Sequence, residues 1–86
     1  MKPTIETQKV LADIGYHLKV KRESLGLSQE ELADRSGLHR TYITDIERGH
    51  RNITIQSILR LASALQLSLG ELFSGIDTHS ITNNSH

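Results

Sequence analysis

The sequence predicts an all-α domain of five short helices, and three observations carry the prediction. Apolar residues recur at spacings of three and four in several segments, as one face of a helix requires. Two Ser-x-x-Glu runs, Ser28 to Glu31 and Ser68 to Glu71, have the form of capping boxes that open helices. Glycines stand where helical runs stop, and no segment reads as a convincing strand.

The elements follow in order. The first helix is expected from about Thr7 to Leu25, with the stripe Leu11, Ile14, Leu18 and Leu25 and with Gly26 as a left-handed cap. Ser28 caps the second, which passes through Leu32 and Ala33 and ends near Arg35. Ser36-Gly37 makes a tight break, and the third runs from about His39 to Arg48, closing at Gly49. The polar loop His50-Arg51-Asn52 leads to Thr54, the natural cap of a fourth helix whose stripe is Ile55, Ile58, Leu59, Ala62 and Leu65. Ser68 opens a short fifth helix with Leu69, Leu72 and Phe73. Residues 1–6 are expected to be flexible, 7–76 to form one domain, and 77–86, DTHSITNNSH, to be a disordered polar tail.

The totals bound the function. At 86 residues there is room for one domain. A chain this short buries only about 60% of its unfolded surface, so a partner subunit is plausible. Cysteine is absent, which excludes disulfides, thiolate zinc sites and thiol catalysis. No apolar run follows the opening lysine, and none approaches a membrane span, so the expectation is a cytoplasmic protein without membrane contact. His17, His39, His50, His79 and His86 lack zinc-like spacing. No nucleophile has a base and an orienter, and so small a chain shapes no sheltered pocket. Neither enzyme activity, a metal, a cofactor nor a small-molecule ligand is expected. Net charge is zero, which argues against coating nucleic acid by bulk charge. Yet residues 35–60 hold Arg35, Arg40, Arg48, Arg51 and Arg60 against only Asp45 and Glu47, so the chain has a basic side.

The third helix divides cleanly on a wheel at 100° per residue. Ile43 and Ile46 fall on one side, flanked by His39 and Tyr42; Arg40, Thr41, Thr44, Asp45 and Arg48 fall on the other. Guanidinium forks pair with guanine, and threonine offers a methyl to thymine or a hydroxyl to either kind of edge, so this face suits the major groove of DNA. Asp45 either accepts from a cytosine amino group or tethers Arg48; the tether is the reading preferred here. A capped helix, a break at Gly37 and a second short helix make a helix-turn-helix. Ala33 allows a close crossing, and Gly37 allows a positive φ.

The run SQEELADRSGLHRTYITDIERG resembles the helix-turn-helix of the Cro and phage-repressor family, over about residues 10 to 74. The resemblance implies a compact five-helix lambda-repressor-like domain. Within that family, HRTYITDIERGHRNIT is similar to the controller proteins of bacterial restriction-modification systems, small homodimers that regulate transcription. By that resemblance Arg40, Thr41, Thr44, Asp45 and Arg48 face bases, while Gln29, Tyr42, Arg51 and Asn52 hold phosphates. His39 stands where relatives often carry a serine cap, which leaves the cap open and adds a pH-sensitive phosphate contact. Arg22 and Glu47 match a buried structural ion pair.

The expected function is therefore a homodimeric, sequence-specific regulator on a palindromic operator of double-stranded DNA. Its half-sites lie about 34–36 Å apart, and RNA polymerase is a possible partner. Leu69, Phe73 and Ile76 are assigned to the dimer surface and Leu72 to the monomer core. The alternative is an antitoxin or other protein-binding module on the same domain, which a co-purifying protein in place of a DNA footprint would reveal.

Overall fold

Capping decides where four helices begin in the computed structural model, which describes residues 4–76. Thr4, Ser28, Thr54 and Ser68 each accept from the amide three residues on, at Thr7, Glu31, Ser57 and Glu71. Each bond satisfies one of the donors that a helix start leaves unpaired. The resulting helices are α1 (Ile5–Ser24), α2 (Gln29–Ser36), α4 (Ile55–Ala64) and α5 (Leu69–Phe73). α3 (Arg40–Glu47) starts after His39, whose side chain makes no capping bond. Both Ser-x-x-Glu boxes close reciprocally. The amides of Ser28 and Ser68 hold Glu31 and Glu71 below the ordinary 4.5. Among the described residues there is no strand. The polar tail expected from Asp77 lies outside them.

Three helix ends share one device. At Gly26, Gly49 and Gln66 the chain takes a positive φ, of 70°, 73° and 54°. The next amide then reaches back to the carbonyls of Arg22, Asp45 and Ala62 respectively. These are Schellman turns, in which the left-handed residue lets the last carbonyls find donors.

Three sequence expectations need correction. α1 starts at Ile5, two residues before Thr7, because Thr4 supplies a cap; Ile5 and Glu6 are helical. Leu25 is not part of the α1 stripe: it is the residue after the helix and is 42% exposed, and the Schellman turn delivers Leu27 to the core instead. On α4, Ile55 and Leu59 face outward, at 73% and 49% exposure. The helix turns Ile58, Leu61, Ala62 and Leu65 inward, so Ile55 and Leu59 sit on the shoulder of that arc.

The core gathers Ile14, Leu18, Leu27, Leu32, Ile43, Ile46, Ile58, Leu61, Leu65 and Leu72. Its consequence for function is the placement of α3. That helix packs on α1 and α2, held by Ile43 and Ile46, which are nearly inaccessible. Contact with α1 is unusually close: a Cβ on Gly15 would stand 2.2 Å from the Ile46 carbonyl oxygen. Gly37, at φ 74°, makes the turn from α2 to α3. His17 Nδ1 lies 2.8 Å from the Leu72 carbonyl and ties α5 to α1.

Candidate nucleic-acid interface

With Ile43 and Ile46 inward, helical geometry sends Arg40, Thr41 and Arg48 to the exposed side, with Thr44 and Asp45 half-buried beside them. Behind this face lies a connected polar chain. Arg22 Nε and Nη2 donate to the two carboxylate oxygens of Glu47 at 2.7 and 3.0 Å, and Nη1 donates to the Leu27 carbonyl at 2.7 Å. The two side chains are 9% and 4% exposed, so this is a buried, forked ion pair. The hydrogen bond to Glu47 raises the Arg22 pKa further above its ordinary value. Gln29 Nε2 also donates to Glu47, at 3.0 Å, and Gln29 Oε1 accepts from the Thr44 hydroxyl at 2.8 Å. The bonds thus run without a break from the α1–α3 ion pair to a side chain on the outer face. Lys19, Gln29, Thr44, Glu47 and Arg48 line a cleft of about 220 Å³ there.

The tether expected between Asp45 and Arg48 is not what forms. Asp45 pairs with Arg51 at 3.1 Å. Arg48 closes α3, and the turn at Gly49 folds the chain back with the His50 amide on the Asp45 carbonyl. That reversal brings Arg51, not Arg48, beside the carboxylate. The Arg51 guanidinium also lies 5.1 Å from the centre of the Tyr42 ring, a cation–π arrangement. Arg51 and Tyr42 therefore occupy one shoulder of the face. Asn52 is exposed nearby and lines a second cleft with Gln8, Leu11, Gly49, His50 and Arg51. His39 is exposed at the other end of α3. There Arg40 meets Glu30 of α2 at 3.3 Å, with both side chains largely in solvent. Such exposed pairs are weak and yield easily to a phosphate or a base.

The residues assigned to a dimer surface lie elsewhere. Leu69 and Phe73 share one outward face of α5, at 43% and 41% exposure, and Ile76 is half-buried against the core. Leu72, between them, is fully buried. Ile55 and Leu59 present a second outward apolar pair on α4. Sequence reasoning missed these two, as it missed Gln29 joining Glu47 to Thr44. The outward pair has a signal in its i, i+4 spacing, but only the direction of the buried arc shows that it faces out.

Two short helices joined at a left-handed glycine, the second buried by its isoleucines and presenting arginine and threonine, define a helix-turn-helix DNA-binding domain. Comparison with known proteins agrees. The helix-turn-helix family model HTH_3 matches residues 18–72, and the chain belongs to that family. Control protein C.SmaI of Serratia marcescens is 41% identical over 68 residues, covering 79% of this chain and 77% of that protein. The crystal structure of the restriction-modification controller protein C.AhdI from Aeromonas hydrophila is similar with a TM-score of 0.71. It shares 48% identity over 73% of this chain and 96% of that one. The controller protein C.Esp1396I, solved as a tetramer in complex with its natural 35 base-pair operator, superposes with a TM-score of 0.71. Identity there is 37% over 78% of this chain and 88% of that one. Among the described residues no helix is long and apolar enough to cross a membrane.

Proposed function

We propose that the chain is a homodimeric transcription regulator of the restriction-modification controller type, reading a two-fold symmetric operator with one α3 per half-site. The observation that carries this reading is the split of α3: two isoleucines sunk in the core and an arginine–threonine face turned out. Arg40, Thr41, Thr44 and Arg48 face base edges, with Asp45 restraining Arg51. Arg51, Tyr42, Asn52, His39 and the second amide hydrogen of Gln29 flank that face, where phosphates of the groove walls pass. One α3 reads too few base pairs to specify an address, and two-fold symmetry doubles them. The outward faces of α5 (Leu69, Phe73, with Ile76) and α4 (Ile55, Leu59) support a dimer built through these helices, since such apolar pairs gain by leaving water. In this reading the dimer works on the cytoplasmic nucleoid and sets transcription either by touching RNA polymerase or by occluding it.

The test uses the full chain and the best duplex from selection on a random-sequence library. Log affinity should fall linearly with log salt concentration. Arg40→Ala should cost about 1–3 kcal/mol and relax preference at one base pair per half-site. Arg51→Ala should weaken all duplexes alike and flatten the salt slope. An Arg40→Ala protein that binds the selected duplex as tightly as its parent would refute this assignment of the reading face.

A further inference from the structure

The Thr44 hydroxyl has one hydrogen, and two oxygens compete for it: Gln29 Oε1 at 2.8 Å and the Arg40 carbonyl at 3.0 Å. The orientation of the Gln29 amide is not arbitrary. Its other end lies 3.0 Å from Glu47 Oε1, an ionised carboxylate that can only accept, because Arg22 holds both its oxygens. The nitrogen must therefore point at Glu47 and the amide oxygen at Thr44. Both partners of the Thr44 hydroxyl are thus pure acceptors, and whichever takes the hydrogen, none is left to donate outward. Only lone pairs and the methyl remain on the side that faces solvent.

We infer that Thr44 acts as an obligate hydrogen-bond acceptor toward DNA, selecting an amino base (adenine or cytosine) over a keto base (guanine or thymine) at one strand position of each half-site, with Gln29 and Glu47 as the positioning residues that set this polarity. In the major groove adenine N6 and cytosine N4 carry donors, whereas guanine O6 and thymine O4 accept. To donate to a keto oxygen, the hydroxyl would have to turn away from Gln29. Once the duplex covers the cleft, Gln29 Oε1 would then be left without a partner, which is costly where water is excluded. An isolated surface threonine has no such constraint, since its hydroxyl rotates to suit either edge. The inference rests on α3 being the reading helix, as proposed above.

The experiment is selection of duplexes from a random-sequence library by four full-length proteins: the parent, Thr44→Val, Thr44→Ser and Gln29→Ala. Thermal melting confirms that each is folded. The parent should enrich a motif in which one strand position carries adenine or cytosine by on the order of tenfold over guanine and thymine, the worth of one hydrogen bond. Thr44→Val should lose that preference at that position alone, and Thr44→Ser should keep it. Gln29→Ala should shrink the amino-over-keto ratio there, a change that a merely structural role would not produce. If Thr44→Val alters no position, or if replacing the amino base there with its des-amino analogue (purine for adenine, 2-pyrimidinone for cytosine) costs the parent no affinity, the polarity is overturned while α3 stands as reader. An unchanged ratio in Gln29→Ala overturns the part given to Gln29. Should the parent enrich no motif at all, the reading of α3 itself falls, and the inference with it.

Discussion

Replacing Gly15 with alanine sets two effects of opposite sign against each other. In an ordinary helix interior the change stabilises, because alanine is about 1 kcal/mol better than glycine. Here the added methyl would stand 2.2 Å from the Ile46 carbonyl oxygen and 2.8 Å from that of Glu47. Carbon–oxygen contacts settle near 3.3–3.6 Å, so α1 and α3 would have to part by about 1 Å. Both clashing atoms are backbone at the end of α3, and no side chain can swing aside. A gap of that size forfeits a quarter to a half of the dispersion attraction across the seam, which is lined by Ile14 and Leu18 on one side and Ile43 and Ile46 on the other. Overpacking penalties run to about 3 kcal/mol. Setting that against the propensity gain of about 1 kcal/mol leaves a net loss of about 2 kcal/mol. Urea unfolding followed by circular dichroism, at matched protein concentration, measures it. A Gly15→Ala protein as stable as its parent would show that the seam relaxes freely and that α3 is not held rigidly against α1.

The remaining predictions concern the ion pair and the helix ends. Arg22→Met should cost about 3–5 kcal/mol by stranding the Glu47 carboxylate, while Arg22→Met with Glu47→Leu should recover most of that loss in the same urea assay. Gln66→Gly should stabilise by about 0.5–1 kcal/mol, because glycine takes the positive φ at that turn without the strain of a side chain, less its extra unfolded-state entropy. The depressed Glu31 and Glu71 carboxyls contribute stability above pH 4.5 that is lost as pH falls through their lower folded-state values. Glu31→Gln with Glu71→Gln should therefore make thermal stability fall less steeply between neutral pH and pH 3 than it does in the parent.

The elements were legible because their signals are local. Ser28, Thr54 and Ser68 announce helix starts, Gly26, Gly37 and Gly49 announce ends, and the isoleucine spacing of α3 separates packed from exposed positions without any tertiary knowledge. What escaped depends on contacts distant in sequence or on the direction of a packed arc. Thr4 caps α1 ahead of any apolar periodicity that would have drawn attention to it. Ile55 and Leu59 satisfy the helical period as well as Ile58 does, and only the packing of α4 against α2 and α5 decides which shoulder faces out. For Asp45, helical spacing favours the partner three residues away. The turn at Gly49 supplies Arg51 instead, six residues on. Gln29 lies fifteen residues from Thr44 and eighteen from Glu47, beyond the reach of any short motif.

Titration of the isotopically labelled chain with its selected duplex, followed by amide and side-chain chemical shifts, tests the reading face most directly. Arg40, Thr41, Thr44 and Arg48 should show the largest changes, with Arg51, Tyr42 and Asn52 next and the outer surface of α1 near Tyr16 and Val20 unmoved. Perturbations centred on that outer surface, with α3 silent, would contradict the account.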